Sequence, residues 1–187
     1  MQLATNAIEM AQLVLKGVLP KARILVDATA GNGRDTLFLA ENTTAEAKIY
    51  AFDIQPRAIA ATEKQTQAYK DRIRYVLDSH EQIGSVVQEP IDAAIFNLGY
   101  LPGGDHHITT EAASTLKALQ AVLDKLNVNG ILVVVVYAGH PAGQEESEAL
   151  AEYMAGLPSG QYTAGCYQMV NHEEGAPFLY IVEKVRG

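Results

Sequence analysis

Residues Ile24-Leu-Val-Asp-Ala-Thr-Ala-Gly-Asn-Gly-Arg-Asp-Thr-Leu-Phe-Leu39 decide the predicted fold of this chain. The apolar run at 24–26 is typical of a strand buried on both faces, and Asp27 ends it. Gly31 and Gly33 lie in the loop that follows, and an apolar helical pattern comes next. This order of strand, glycine-rich turn and helix lets a ligand approach the backbone and the positive end of a helix. We therefore expect a binding loop here, outside the carboxyl end of the strand.

The alternation of strands and helices continues along the chain. Apolar runs predict strands at 24–27, 48–53, 73–77, 91–97 and 131–137, and two closing strands at 161–170 and 177–185. Helical patterns occupy 3–18, 34–41, 55–70, 81–88, 110–126 and 143–155. Thr109 is the predicted N-cap of the helix at 110–126, and Asn129-Gly130 is a predicted turn. This order predicts an α/β fold with a Rossmann-like, doubly wound, seven-stranded and mostly parallel sheet that ends in an antiparallel hairpin.

Composition favours an ordinary globular protein. The 187 residues predict a single domain, 1–187, whose N-terminal helix (1–20) packs on the core. Cys166 is the only cysteine, which excludes a disulfide framework, and we interpret it as a small core residue on a strand. Without a signal-peptide pattern or a long apolar run, we expect a cytoplasmic protein with no membrane span. The net charge of −8 argues against broad attachment to nucleic acid but permits a small basic patch for one structured RNA.

Polar residues end four of the predicted strands: Asp27, Asp53, Asp78 and Asn97. Parallel strands bring such ends to one edge of the sheet, where the strand order reverses. Asp53 stands where an acid accepts hydrogen bonds from ribose hydroxyls, and Asp78 with Ser79 stands where an adenine ring would be held. Each acid alone is better explained as a strand-end cap or a solvated loop residue. Four such residues in register favour a nucleotide-like ligand.

The sequence of the loop after the first strand decides between two predicted ligands, a nicotinamide dinucleotide and S-adenosylmethionine. It contains Gly31 and Gly33, but Thr36 stands where the dinucleotide fingerprint requires a third small residue. Asp27 disfavours a pyrophosphate and suits the ammonium of a sulfonium-bearing amino acid, which it would meet directly or through water. We therefore predict S-adenosylmethionine as the cofactor. The residues assigned to it are Asp27, Thr29, Gly31, Asn32, Gly33, Asp35, Thr36, Asp53, Ile54, Asp78, Ser79, His80 and Asn97.

The tetrapeptide Asn97-Leu-Gly-Tyr100 resembles the Asn/Asp-Pro-Pro-Tyr signature of amino-methyltransferases, with Leu-Gly in place of the prolines that stiffen the loop. In that signature an exocyclic amine is held by the Asn side-chain oxygen and a backbone carbonyl, which directs its lone pair at the methyl group. Tyr100 would pack against a planar substrate. A strand-end Asn that caps a turn, beside a surface Tyr, is an equally good interpretation of these four residues.

Longer motifs carry a resemblance to one family. They are Asp27-Ala-Thr-Ala-Gly-Asn-Gly-Arg-Asp-Thr-Leu-Phe-Leu-Ala40, Phe96-Asn-Leu-Gly-Tyr-Leu-Pro-Gly-Gly-Asp-His106, Tyr137-Ala-Gly-His-Pro-Ala-Gly143, Asn171-His172 and Pro177-Phe-Leu-Tyr-Ile-Val-Glu-Lys184. Over nearly the whole chain they resemble the YtqB-like proteins, long labelled rRNA methylases and understood as tRNA wobble-uridine methyltransferases of the MnmM type. The resemblance implies a class I S-adenosylmethionine-dependent methyltransferase. Its substrate would be the amine of 5-aminomethyl-(2-thio)uridine at the tRNA wobble position, and its product 5-methylaminomethyl-(2-thio)uridine.

Methyl transfer to an amine needs the neutral amine, because an ammonium has no lone pair. Asp105 or His106, on the loop after strand 91–97, is the predicted proton acceptor. The predicted catalytic residues are Asn97, Tyr100, Asp105 and His106, and the predicted substrate contacts are Tyr100, His106, Tyr137, His140 and His172. No metal is predicted, because positioning and desolvation suffice for this reaction.

The predicted partner is the anticodon region of tRNA, bound by a monomer or homodimer. The cationic residues considered for RNA contact are Arg34, Arg57, Lys117 and Arg186, although solvated surface positions explain them equally simply. A plain turn residue is an equally good interpretation of His172, and a hydrogen bond within its loop is the better one of His107. Two alternatives stay open: methyl transfer to another RNA or a small amine, and a nucleotide-binding module without catalysis.

Overall fold

One mixed sheet organises the described part of this computed structural model, which covers residues 4–99, 110–139, 141–173 and 175–187. The strands are β1 (Ile24–Asp27), β2 (Lys48–Asp53), β3 (Ile73–Leu77), β4 (Ile91–Asn97), β5 (Leu126–Val136), β6 (Tyr162–Tyr167) and β7 (Phe178–Lys184). Their order across the sheet is β3-β2-β1-β4-β5-β7-β6. The first five strands are parallel, and β7 is antiparallel to both β5 and β6. The predicted Rossmann-like sheet with its closing hairpin is confirmed.

The helices lie close to their predicted positions. They are α1 (Ala7–Leu15), α2 (Arg34–Glu41), α3 (Pro56–Gln65), α4 (Ile83–Val86), α5 (Ala112–Lys125) and α6 (Pro141–Ala155). The first helix starts after Asn6, whose side chain accepts a hydrogen bond from Glu9 N at 2.9 Å. The third helix is shorter than predicted, because the chain continues as a 3-10 helix from Gln67 to Arg72.

Three local predictions are wrong. The N-cap position of α5 is Glu111 and not Thr109, which lies outside the described residues. The fifth strand begins at Leu126, because Asn129 adopts a left-handed φ of 64° and the pairing with β4 shifts register there without ending the strand. Cys166 is exposed, since it lies on β6, the edge strand, whose central residues are open to solvent.

Helices cover both faces of the sheet. On one face α1 contributes Ala7, Ala11 and Leu15 to the core, and on the other face α5 contributes Leu119 and Val122. Burial on both sides explains why β1, β2, β4 and β5 are apolar over most of their length. Three of these strands, β1, β2 and β4, end in a polar residue: Asp27, Asp53 and Asn97. Within the described ranges, no helix combines the length and the apolar character needed to cross a membrane.

Candidate functional site

The carboxyl ends of β2, β1 and β4 lie side by side, and the loop after β1 links them. Gly31 N donates a hydrogen bond to Asp53 Oδ2 at 2.9 Å. Asn97 N donates to Thr29 Oγ1 at 2.7 Å. Because Thr29 and Gly31 belong to the same loop, one short segment holds the ends of three strands in register. The strand-end residues therefore gather at one edge, as the parallel order of these strands requires.

Two glycines give this loop its shape. The backbone φ is 54° at Gly31 and 81° at Gly33, both in the left-handed region. A Cβ at Gly33 would lie only 2.8 Å from Thr62 Cα, so the close approach of α2 and α3 excludes a side chain there. Between the two glycines, Asn32 is exposed. The loop thus offers its backbone to the solvent side of the edge, next to the start of a helix.

Asp27 is fully buried beneath the loop. Its Oδ1 accepts a hydrogen bond from Thr29 N at 3.1 Å, and its Oδ2 accepts one from Thr36 Oγ1 at 2.5 Å. Burial raises the pKa of Asp27 to about 7, and the negative charge of Asp35 adds to the rise. This carboxyl group holds the loop to the first turn of α2. Contact between Asp27 and a bound ammonium stays a prediction.

Asn97 meets Asp35 where β4 faces the start of α2. Asn97 Nδ2 donates to Asp35 Oδ2 at 3.2 Å, although the two residues are 62 positions apart. Asp35 is 7% exposed, and burial raises the pKa of its carboxyl, while the hydrogen bond from Asn97 and the charge of Arg34 lower it. Since the amide nitrogen faces an acceptor, the amide oxygen occupies the other branch of the side chain. That oxygen can accept a hydrogen bond from an amine.

Two large apolar side chains stay exposed beside Asp53. Ile54 follows β2 and is 55% exposed, and Leu77 ends β3 and is 54% exposed. Leu77 is the register partner of Asp53, so an apolar group and a carboxylate are neighbours here, with the exposed Asp78 next in the chain. This combination suits a purine with its ribose, because the base needs apolar contact and the hydroxyls need an acceptor. The sequence assigned Ile54 to the cofactor, which stays a prediction, and did not assign Leu77, although Leu77 stands directly before Asp78.

His80 has a buried ring nitrogen, Nε2, that lacks a hydrogen-bond partner among the described residues. The ring lies against Phe96, with 5.8 Å between the ring centroids. Burial lowers the pKa of His80, and a hydrogen bond to the backbone of Ala28 raises it by less. Such an orphaned nitrogen fits a bound group that makes one hydrogen bond to it. Ser79 instead caps the following turn, where its Oγ accepts from Glu81 N at 3.3 Å.

Five residues named in the sequence analysis for the substrate side lie outside the described residues: Tyr100, Asp105, His106, His107 and His140. Tyr137 is described and half-buried. A Cβ on Gly99 would lie 3.8 Å from Tyr137 Cδ2, so this aromatic ring packs beside the backbone that follows Asn97. Tyr137 is therefore placed at the predicted substrate side.

His172 is exposed in the turn between β6 and β7. That turn lies at the carboxyl edge, because the first residue of β7, Phe178, pairs with the last residue of β5. The turn also touches the loop after β5: a Cβ on Gly175 would lie 3.1 Å from Gly139 Cα. The structure thus places His172 at the same edge as the strand-end residues, and its contact with RNA stays a prediction.

The basic residues considered for RNA contact divide between the two edges of the sheet. Arg34 and Arg57 are exposed in the first turns of α2 and α3, which start at the carboxyl edge. Lys117 lies on α5 with its Nζ 3.9 Å from Glu81 Oε2. Arg186 follows the end of the antiparallel β7 and donates its backbone N–H to Gln161 O, so it lies at the opposite edge. Arg186 is therefore too far from the strand-end residues to act beside them.

A crevice of about 500 Å³ lies at the opposite edge and does not include these residues. Arg72 borders it and donates to Thr43 Oγ1 at 2.8 Å, to Thr44 O at 3.1 Å and to Ala40 O. These bonds satisfy the Ala40 carbonyl in the last turn of α2 and two oxygens of the loop that follows, so Arg72 has a structural role. No three His, Cys, Asp or Glu side chains of the described residues form a metal-ligand group. The predicted absence of a metal stays a prediction, since Asp105 and His106 are not described.

The sheet and its strand-end site define a Rossmann-like methyltransferase. A crystal structure described as a putative rRNA-methylase from Clostridium thermocellum matches with a TM-score of 0.95 and 34% identity, covering 98% of this chain and 100% of that one. A methyltransferase from Streptococcus mutans, in complex with SAH, matches with a TM-score of 0.88 and 36% identity, covering 97% and 99%.

The family model described as "Putative rRNA methylase" matches residues 49–183, and the chain belongs to this family. A relative from Arabidopsis thaliana, named "tRNA (mnm(5)s(2)U34)-methyltransferase, chloroplastic", is 36% identical over 96% of this chain and 69% of its own length. Another, "Ribosomal RNA small subunit methyltransferase H" of Heliobacterium mobile, is 24% identical over 70% of this chain and 44% of its own length. The family resemblance predicted from the motifs is confirmed.

Proposed function

We propose that this protein methylates the primary amine of 5-aminomethyl-(2-thio)uridine at the wobble position of tRNA, with S-adenosylmethionine as the methyl donor. The observation that carries the proposal is the 36% identity, over 96% of the chain, to the Arabidopsis protein named for mnm(5)s(2)U34 in tRNA. The geometry of Asn97 supports it, because an amide oxygen at the end of β4 is an acceptor suited to an amine.

The donor half of the site comprises the loop after β1 and the ends of β2 and β3. We assign the ribose hydroxyls to Asp53 and the purine to Ile54, Leu77 and Ser79. His80 Nε2, which is buried and without a partner in the described residues, fits the same group. When bound, S-adenosylmethionine supplies the methyl group, whose carbon bonds to the amine nitrogen as its bond to sulfur breaks.

On the acceptor side, we assign the orientation of the substrate amine to Asn97. Its oxygen would accept one amine hydrogen, and the hydrogen bond from Nδ2 to Asp35 keeps the amide from turning over. A backbone carbonyl would accept the second hydrogen, so that the lone pair faces the methyl group. Fixing the nitrogen in this way reduces the entropy that must be lost to reach the transition state.

The amine must be neutral before it reacts, and we assign removal of its proton to Asp105 or His106. Tyr100 and Tyr137 would provide aromatic contact for a wobble base turned out of its stack. We assign His140 and His172 to contact with the tRNA around that base, together with Arg34 and Arg57 at the same edge. We also infer a cytoplasmic, reducing location, which the single exposed cysteine supports.

The test is nucleoside mass spectrometry of tRNA from a strain that lacks this gene. We expect loss of 5-methylaminomethyl-uridines and accumulation of the aminomethyl precursor, with both reversed when the gene is restored. Unchanged modification would reject the wobble-base assignment. Purified protein, S-adenosylmethionine and the unmethylated tRNA should restore the product without other proteins.

Ribosomal RNA is the second candidate substrate, favoured by the match to the Heliobacterium methyltransferase. It predicts transfer of labelled methyl groups to ribosomal RNA and not to tRNA in the same assay. A non-catalytic nucleotide-binding module predicts binding of S-adenosylhomocysteine with no labelled RNA at all. The three outcomes are distinct, so one labelling experiment separates them.

A further inference from the structure

A buried carboxylate on α6 joins two threonines near the start of α5. Glu146 is 4% exposed, and its oxygens accept hydrogen bonds from Thr110 Oγ1 at 2.7 Å and Thr115 Oγ1 at 2.6 Å. Among the described residues no Lys, Arg or His forms an ion pair with it. A buried carboxylate without a cation is costly unless hydrogen bonds compensate. Both hydroxyl hydrogens are therefore committed to Glu146.

The hydrogen bond to Glu146 determines how the Thr110 hydroxyl interacts with its other neighbour, Gly99. With its hydrogen donated to Glu146, Thr110 Oγ1 is left with lone pairs, and it accepts a hydrogen bond from Gly99 N at 3.0 Å. Thr110 N in turn donates to Gly99 O at 3.1 Å. Two hydrogen bonds thus bridge Gly99, two residues after Asn97, to Thr110, two residues before α5 begins.

The bridge orients the peptide group between Leu98 and Gly99. The N–H and C=O of a trans peptide point in opposite directions, and no cis peptide is found in the described chain. Since Gly99 N–H points to Thr110, the Leu98 carbonyl points away from Thr110. Leu98 N also donates to Val135 O at 2.9 Å, so the preceding peptide is held by β5. Both peptide groups after Asn97 therefore have fixed orientations.

We infer that Glu146, acting through Thr110, is a positioning residue that fixes the backbone directly after Asn97 and so keeps the Asn97 amide oxygen aimed at the substrate amine. The inference rests on the proposed function and adds a residue outside the strand-end site on which its rate depends. A nitrogen that is held by an acceptor on a fixed backbone needs less reorganisation before the methyl group is transferred.

Two threonine variants separate positioning from stability. Thr110→Val and Thr115→Val each remove one hydroxyl that donates to Glu146, and each keeps a β-branched side chain. Only Thr110 bonds to Gly99, so Thr115→Val is the matched control. Thr110→Ser keeps a hydroxyl at this position and should therefore keep the bridge to Gly99. Melting temperatures measure the loss of stability, and hydrogen exchange of the Gly99 amide, followed by NMR, reports the bridge itself.

We expect Thr110→Val to lower kcat for the aminomethyl-uridine tRNA by about tenfold, the factor that corresponds to one hydrogen bond, with KM little changed. Gly99 exchange should accelerate in Thr110→Val alone, and Thr110→Ser should return both quantities to near wild-type values. Thr115→Val should lower the melting temperature while kcat stays within about twofold.

Equal loss of kcat in both valine variants, or fast Gly99 exchange in Thr110→Val with normal kcat, would overturn the inference. Failure of the proposed function looks different, since the wild-type protein would then leave the tRNA unmethylated. An active wild type with indistinguishable valine variants rejects only the positioning role of Glu146.

Discussion

Asn97, the last residue of β4, donates its side-chain amide to Asp35 in the first turn of α2, with 3.2 Å between Nδ2 and Oδ2. The bond joins the strand assigned to the acceptor with the helix that follows the donor loop. It also decides which end of the amide is available, because a carboxylate accepts from nitrogen and repels oxygen. The orientation of a substrate amine would thus depend on a residue that belongs to the donor half of the site.

Replacement of Asn97 should separate transfer from donor binding. We expect Asn97→Ala to lower kcat by at least about 100-fold, the usual cost of a lost polar group that acts on the reacting atoms. The affinity for S-adenosylhomocysteine, measured by calorimetry, should change by less than about threefold, because Ala keeps the backbone bond to Thr29. Loss of donor binding would place Asn97 in the cofactor pocket instead. Asn127→Ala, which removes an amide bonded to Asp92 at the opposite edge, is the control and should retain full activity.

Leu77 should matter for the donor even though it is a surface residue. We expect Leu77→Ser to weaken binding of S-adenosylhomocysteine by about tenfold, because loss of apolar contact with the purine is worth on the order of 1–2 kcal/mol. Leu13→Ser provides the comparison: Leu13 is 49% exposed on α1, close to the 54% of Leu77. Calorimetry measures the affinity of both variants for S-adenosylhomocysteine. Equal affinities in the two variants would exclude Leu77 from the purine site.

The buried Asp27 should make stability depend on pH. Its pKa is raised from 3.8 to about 7, so the folded protein holds this proton more tightly than the unfolded chain does. Stability from this group is greatest below about pH 4, decreases as the pH rises toward 7, and is constant above that. Asp27→Asn cannot ionise. The difference in melting temperature between wild type and Asp27→Asn should therefore shift in favour of the variant between pH 4 and pH 7.5, whereas parallel curves would show that Asp27 ionises normally.

Gly33 should not tolerate a side chain. Gly33→Ala places a Cβ 2.8 Å from Thr62 Cα and requires a left-handed φ of 81°, so we expect a loss of at least about 2 kcal/mol in the free energy of unfolding. Gly165→Ala is the matched change on the exposed edge strand, where a Cβ has no neighbour within 4 Å. It should alter stability by less than about 0.5 kcal/mol. Urea denaturation of both variants measures the difference, and a stable Gly33→Ala protein would mean that α2 and α3 can separate at little cost.

The local sequence was sufficient to predict the bounds of an element where one physical constraint dominated. The first strand and second helix begin and end at the predicted residues, because a doubly buried strand must be apolar and the glycine turn separates it from a helical pattern. The gathering of Asp27, Asp53 and Asn97 at one edge follows from parallel strand order alone. The errors arose where a local signal had two meanings. Asn129-Gly130 is a frequent turn pair, yet here a left-handed Asn is accommodated inside β5.

Tertiary structure decided the contacts between residues that are distant in the chain. Neither the bond from Asn97 to Asp35, across 62 positions, nor that from Thr110 to Glu146, across 36, has a periodic signal in the sequence. The exposure of Cys166 likewise depends on β6 lying outside β7 at the edge of the sheet. The sequence by itself determined the fold and the edge at which the strand-end polar residues gather, because hydrophobic pattern and strand direction specify them, and its motifs carried the family resemblance. Which polar atoms face one another was decided only by packing, since that depends on the relative placement of whole elements.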